Sequence, residues 1–157
     1  MTSAIRSRGR TSLLLVLAGA IVAAGCSQGP KLVRVRGTVY LDGKPVQAGE
    51  TVTGYVVFHA DPAKGNTTME GVKANIEADG SYRLYTRDKE GAPLGWYFVT
   101  VELARTSPQD AYDYKAMISE RYLDKTKSNL AFEVVAKPEP GRYDIKLEGK
   151  DPPAKGK

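Results

Sequence analysis

Few side chains in this sequence can do covalent or metal chemistry. The chain has one cysteine, Cys26, and one histidine, His59. A Ser or Cys hydrolase needs an imidazole base beside its nucleophile, and His59 is the only candidate for that base. A zinc site would require His59 together with carboxylates, and the sequence shows no recognisable ligand spacing for it. A single cysteine also excludes an intrachain disulfide.

Acidic residues and glycines form no familiar ligand motif either. Asp61, Asp79 and Asp88 fall in separate predicted turns, whereas a calcium loop concentrates its carboxylates in one short segment. The glycine-containing segment 91–95 is a predicted turn between strands, with no helix after it to receive a phosphate. We therefore predict no enzymatic activity, no metal and no cofactor.

Aromatic side chains provide the candidate ligand-binding residues. Trp96 and Phe98 alternate with the apolar residues of a predicted strand, so both should project away from the core. With Tyr55, or with Tyr40, they would form an exposed platform on which sugar rings could stack. The competing interpretations are that segment 106–129 covers this platform, or that this face is itself the core.

Two weaker signals lie nearby. His59 and Asp61 could form a pH-sensitive contact, although a surface histidine at a strand end is the commoner arrangement. Tyr112, Tyr114 and Tyr122 could form a binding loop, with a solvated cover as the alternative.

The N-terminus has the three-part layout of a secretory signal. Arginines without acidic residues come first, then an apolar stretch at 13–24, and small residues precede Cys26. The competing interpretation is an uncleaved membrane anchor, because the charge-free stretch 11–30 is long enough to span a bilayer. The position of the only cysteine, directly after the small residues, favours a cleaved signal at residues 1–25.

The sequence Ala23-Ala24-Gly25-Cys26 resembles a bacterial lipobox, with Ala23 in place of the usual leucine. The resemblance implies cleavage before Cys26, a diacylglycerol on its sulfur and acylation of the new amino group, for example with palmitate. Several acyl chains hold a protein on a membrane stably, whereas one holds it marginally. Ser27, where an aspartate would retain the protein, favours sorting to the outer membrane of a Gram-negative cell.

The formal net charge of +5 comes from the ends of the chain. The predicted signal peptide carries three arginines, and residues 150–157 carry three lysines and one aspartate. The rest of the chain, residues 26–149, has 17 basic and 17 acidic residues. A neutral body argues against a nucleic-acid partner. The composition of residues 150–157 predicts a disordered tail.

The body, residues 32–149, follows a short tether at 26–31 and alternates apolar with polar residues, as half-buried strands do. Asp42-Gly43 and Asp79-Gly80 are strong turn signals. The pattern predicts an all-β, seven-stranded β-sandwich. Segment 106–129 is the exception, with one short helix predicted near Ser107-Pro108. The predicted strands are 32–41, 52–60, 71–78, 81–86, 96–103, 130–135 and 142–147.

Several of these turn and core motifs resemble the carboxypeptidase regulatory-like, transthyretin-like domains. The resemblance implies a Greek-key sandwich that serves as an accessory module for stability, binding or assembly. Some transthyretin-like proteins hydrolyse 5-hydroxyisourate with a pair of histidines and a C-terminal Tyr-Arg-Gly-Ser motif, which this chain lacks. The matching residues are Gly37, Val39, Asp42, Gly43, Lys44, Pro45, Val46, Val56, Phe58, Asp79, Gly80, Tyr82, Leu84, Gly95, Tyr97, Val99 and Val101.

These patterns together predict a non-enzymatic, lipid-anchored protein of the bacterial cell envelope. Its sandwich would act as a binding or structural module, with the membrane, envelope proteins or glycans as partners. The alternative is a surface carbohydrate-binding module that uses Trp96, Phe98 and Tyr55. An unrecognised enzyme is the third hypothesis, and it requires a concave cluster of ionisable groups that the strand pattern does not assemble.

Overall fold

The computed structural model describes residues 30–69, 71–107 and 110–150, and for residues 110–112 it describes the backbone alone. The predicted signal peptide, Cys26, residues 27–29 of the tether, Pro108 and residues 151–157 lie outside the described residues. The predictions made for them remain predictions. The secondary structure of the described residues is mainly β, as the alternating pattern predicts.

The described residues contain thirteen strands where the sequence predicted seven. Two predicted strands, 32–41 and 81–86, are each divided in two, and four further strands lie outside the predicted segments. The strands are β1 (Leu32–Val33), β2 (Arg36–Leu41), β3 (Lys44–Pro45), β4 (Val52–Ala60), β5 (Val72–Asn75), β6 (Ser81–Arg83), β7 (Tyr85–Thr86), β8 (Lys89–Glu90), β9 (Ala92–Pro93), β10 (Gly95–Ser107), β11 (Asp110–Ala116), β12 (Ala131–Val134) and β13 (Ile145–Leu147).

Two main sheets contain most of these strands. The larger sheet has the order β11-β10-β4-β5-β7-β8, with β12 also paired to β10. The smaller sheet has the order β13-β2-β3, with β6 also paired to β2. All pairs in these sheets are antiparallel except β13 and β2, which are parallel. A separate antiparallel pair joins β1 to β9.

The hydrophobic core lies between the two main sheets. Val56 and Phe58 of β4 are fully buried, and so is Val99 of β10. They share one cluster with Val39 of β2 and Tyr82 of β6. The rings of Phe58 and Tyr82, one from each sheet, have centroids 6.4 Å apart. The arrangement is consistent with an all-β sandwich.

The two turns predicted from Asp-Gly pairs are present, whereas segment 91–95, also predicted as a turn, contains β9. Asp42 and Gly43 both have positive φ, 49° and 80°, which a two-residue type I′ hairpin requires. They connect β2 to β3. At Gly80, with φ 82°, the chain turns from β5 into β6, and these two strands enter different sheets. The predicted strand 81–86 is consequently interrupted at Leu84, whose N–H donates to the Val35 carbonyl.

Segment 106–129 differs from its prediction. Ser107, the predicted helix cap, is instead the last residue of β10, and β11 pairs back along that strand. The helical piece is a 3₁₀ helix at Glu120–Leu123, further along the chain. The polar composition of β11 hid its strand character, because the pairing with β10 stabilises it rather than an apolar face of its own.

Segment 106–129 packs along one edge of β10. The edge pairs with β12 from Gly95 to Phe98 and with β11 from Ala104 to Ser107. Between these stretches the 3₁₀ helix packs nearby and inserts the buried ring of Tyr122 into the core. The segment therefore adds to the edge of the larger sheet, whereas one alternative from the sequence had it cover the face.

Candidate functional site

The larger sheet has one face turned away from the core, and its polar and aromatic side chains form the candidate site. We call this surface the outer face. Three neighbouring strands contribute to it. Every second side chain of each strand lies on this face, because the side chains of a strand alternate between the two faces. They are Tyr55 and His59 of β4, Trp96, Phe98, Thr100 and Glu102 of β10, and Tyr114 of β11.

The predicted alternation of β10 is confirmed. Tyr97 and Val99 are fully buried, and Trp96 and Phe98 are half-buried on the opposite face. Tyr55 is 41% exposed. This face is not the core, so that alternative is wrong. Segment 106–129 adds β11 at the edge of the face, where Tyr114 contacts Glu102, and its Lys125 lies close enough to His59 to lower the pKa of that imidazole.

The three predicted aromatic residues do not form one platform. Tyr55 lies opposite Glu102 in the register of β4 and β10, six positions from Trp96. At about 3.3 Å per residue this places Tyr55 roughly 20 Å from Trp96 along the strand. Phe98 lies between them and faces His59 across the strand pair. A single ligand ring cannot contact both ends.

Trp96 is engaged by a neighbouring loop. The Lys64 ammonium lies 3.6 Å from the centroid of the Trp96 ring, in a cation–π contact. The side-chain amide of Asn66 donates to the Trp96 carbonyl at 2.9 Å. One face of the indole is thus occupied by Lys64, which leaves less of the ring for stacking on a sugar.

His59 forms a hydrogen bond with a threonine, whereas the sequence had placed it beside Asp61. Its Nε2 lies 2.9 Å from Thr100 Oγ1. Burial, with the positive charge of Lys125, lowers the pKa of His59. The carboxylate of Asp61 is itself buried and accepts from the Ala63 amide at the start of the 3₁₀ helix Pro62–Lys64. The lowered pKa keeps the imidazole of His59 neutral at pH 7, and its side chain is half-buried on the outer face.

Two tyrosines hold one carboxylate at the far end of the outer face. The phenol of Tyr55 donates to Glu102 Oε2, and that of Tyr114 donates to Glu102 Oε1. The hydrogen bond to Glu102, followed by burial, raises the pKa of Tyr55. Burial, followed by the bond to Glu102, raises the pKa of Tyr114 to about 12. Both phenols thus remain neutral donors at physiological pH, and Glu102 is fixed in one orientation.

A shallow concavity of about 460 Å³ adjoins this end. Tyr55 and Glu102 form part of its lining, together with Asn75 and Glu77. The volume falls in the range of small-ligand sites, roughly 300–1,000 Å³. The aromatic ring of Tyr55 beside the fixed carboxylate of Glu102 and the exposed amide of Asn75 is chemistry that suits a polyhydroxylated ligand.

The described residues provide neither a metal-binding cluster nor a membrane-spanning helix. Among the described residues, no group of three or more His, Cys, Asp and Glu side chains is placed to hold a metal ion. Within the same ranges, no helix is long and apolar enough to cross a bilayer. Comparison with protein-family models, curated proteins and solved structures finds no match to this chain.

Three residues of the outer face were not predicted as candidate site residues. Thr100 and Glu102 continue the alternation that identified Trp96 and Phe98, so the same signal would have found them. Tyr114 was considered only as part of a loop. Its place beside Glu102 depends on the pairing of β11 with β10, which has no local signal in the sequence.

Proposed function

We propose that this chain is a non-enzymatic lipoprotein of the bacterial cell envelope whose sandwich serves as a binding or assembly module. The observation that carries the proposal is where the folded domain begins. The first strand starts at Leu32, and the core cluster begins at Val35, with the partly buried Val33 packed against it. Only a short tether therefore separates the domain from Cys26, which suits a globular module held close to a membrane by acyl chains.

We assign a Greek-key sandwich of the carboxypeptidase regulatory-like type. Support comes from motif residues in the structural roles that such a domain needs. Asp42 and Gly43 form a hairpin turn, and Tyr82 and Tyr97 are fully buried.

Radiolabelled palmitate tests the anchor. Cells that produce the wild-type protein should yield a labelled band, and Cys26→Ala should abolish the label. Ser27→Ala is the matched control, because it alters the neighbouring residue and keeps the thiol. Equal labelling of wild type and Cys26→Ala would refute lipidation at this position.

Ser27 supports location in the outer membrane, and a sorting variant tests this part. Ser27→Asp should move the protein from the outer-membrane to the inner-membrane fraction on a density gradient. An unchanged distribution would refute the sorting assignment without affecting the lipidation result.

Carbohydrate binding is the second candidate function, and the concavity beside Tyr55 and Glu102 favours it. The site differs from the predicted platform, since neither Trp96 nor Phe98 lines the concavity. A glycan panel should show binding that Tyr55→Ala and Glu102→Gln both remove. Tyr85→Ala is the control, because Tyr85 is similarly exposed, at 40%, and does not line this concavity. No binding by wild type would reject this candidate.

A further inference from the structure

One end of the sandwich carries the tether. Lys31 directly precedes β1, in which Leu32 pairs with Pro93 of β9. The Tyr97 phenol donates to the Pro93 carbonyl at 2.9 Å and so attaches β9 firmly to the core. The chain that leads back to Cys26 therefore starts from a rigid part of the fold.

Exposed apolar residues lie at the same end. Leu94, next to Pro93, is 47% exposed, and Met69 is fully exposed. The loop that ends at Met69 is held against β10, because Thr68 N–H donates to Asn66 and Asn66 donates to the Trp96 carbonyl. Leu94, Met69 and Trp96 thus belong to one end of the molecule.

Among the described residues, two lysines bring exposed positive charge to this end of the molecule. Lys31 and Lys64 are both exposed, and Lys64 lies over Trp96. The nearby Asp61 is buried and caps a 3₁₀ helix. Glu133, across from Trp96 in β12, lies 3.8 Å from the guanidinium of Arg142. Trp beside Lys, with exposed apolar side chains, is the combination found where proteins meet the membrane interface.

The tether limits how far this end can be from a bilayer. Lys31 is the fifth residue after Cys26, and five residue steps of fully extended chain span at most about 18 Å. With acyl chains on Cys26, Lys31 must stay within that distance of the bilayer surface. At that distance Lys31 is within about two Debye lengths of anionic headgroups.

We propose that the tether end of the sandwich, formed by Lys31, Lys64, Met69, Leu94 and Trp96, lies on the phospholipid bilayer as a second contact beside the acyl chains. Leu94 and Met69 enter the interface, and Lys31 and Lys64 face the headgroups. This inference rests on the proposed lipidation of Cys26. It leaves the Tyr55–Glu102 end of the outer face, about 20 Å away along β10, free for a ligand.

The single tryptophan of the chain makes the contact measurable. The lipidated protein, purified in detergent, is reconstituted into vesicles of phosphatidylethanolamine and phosphatidylglycerol whose acyl chains carry bromine near the headgroup. We expect loss of Trp96 fluorescence relative to vesicles without bromine. Leu94→Glu should restore much of the intensity, since the charge opposes entry into the interface.

A matched control moves the reporter to the other end. In Trp96→Phe with Tyr55→Trp, the only tryptophan lies at the position of Tyr55, and bromine should leave its fluorescence unchanged. Circular dichroism checks that each variant folds.

Mass spectrometry of the purified protein separates the two proposals. Absence of acyl groups on Cys26 overturns both. Acylated protein with no quenching of Trp96, or with equal quenching at position 55, overturns the orientation alone and leaves the lipoprotein assignment in place.

Discussion

The phenol of Tyr82 donates a hydrogen bond of 2.6 Å to the backbone carbonyl of Tyr143. The bond is buried and joins β6 to the turn before β13, on either side of β2. Gly37 of β2 lies against the same carbonyl, where a Cβ atom would be only 2.3 Å from the oxygen. Burial raises the pKa of Tyr82, which keeps its hydroxyl protonated as a donor. This hydrogen bond therefore links β6 to the turn before β13, and the close packing around it leaves no space for a side chain at position 37.

Removal of this donor should destabilise the fold. Tyr82→Phe leaves the Tyr143 carbonyl buried without the phenol, at an expected cost of about 1–2 kcal/mol in the free energy of unfolding. Urea denaturation followed by circular dichroism measures it as a lower midpoint at unchanged slope. Tyr85→Phe is the control on an exposed tyrosine and should change stability by less than about 0.5 kcal/mol. Equal midpoints for both variants would contradict the assignment.

A side chain at position 37 should be poorly tolerated. Gly37→Ala must displace the Tyr143 backbone, and we expect it to destabilise the protein by about 1–3 kcal/mol or to prevent folding. Gly49→Ala is the matched control, because a Cβ atom there meets nothing within 4 Å. Thermal unfolding of both variants compares them directly. A Gly37→Ala protein as stable as Gly49→Ala would show that the Tyr143 backbone moves away from β2 at little cost.

His59 should make stability depend on pH. Its pKa lies below the value of about 6.5 that it has in an unfolded chain. Between these two pKa values the unfolded chain binds more protons than the folded one. The contribution of His59 to the free energy of unfolding is therefore fully present above about pH 6.5 and is lost as pH drops through the folded pKa. NMR titration of the single histidine measures that pKa. His59→Gln should remove this component of the pH dependence, and a folded pKa at or above 6.5 would contradict it.

Lys125 provides a finer test of the cause. Lys125→Ala should raise the pKa of His59 only in part, because burial is the larger contribution. Lys127→Ala is a nearby control, since Lys127 pairs with Asp124 instead. A full return to the ordinary histidine pKa in Lys125→Ala would show that charge, rather than burial, dominates.

The paired tyrosines predict an alkaline transition. The pKa of Tyr114 is about 12 in the folded protein, so the stabilisation linked to its proton is present below pH 10 and is lost as pH rises from 10 to 12. The absorbance difference at 295 nm between wild type and Tyr114→Phe isolates this phenol. Glu102→Gln should lower its pKa, whereas Glu133→Gln should leave it unchanged. No effect of Glu102→Gln would contradict the shared hydrogen bond.

The sequence by itself determined the features that depend on neighbouring residues along the chain. Alternation along β10 predicted that Tyr97 and Val99 are buried and that Trp96 and Phe98 lie outside. Asp42-Gly43 predicted a turn that requires positive φ at both residues. These are local properties, because side-chain direction in a strand repeats every two residues and backbone sterics act within a turn.

Only the tertiary structure decided which of these elements meet. Strand register separated Tyr55 from Trp96 and placed Tyr55 beside Glu102, although all three share one face. The polar strand β11 formed because β10 offered it a free edge, and that pairing brought Tyr114 to the same carboxylate. Such contacts depend on the alignment of distant segments, and that alignment follows from the packing of the whole core rather than from any short stretch of residues.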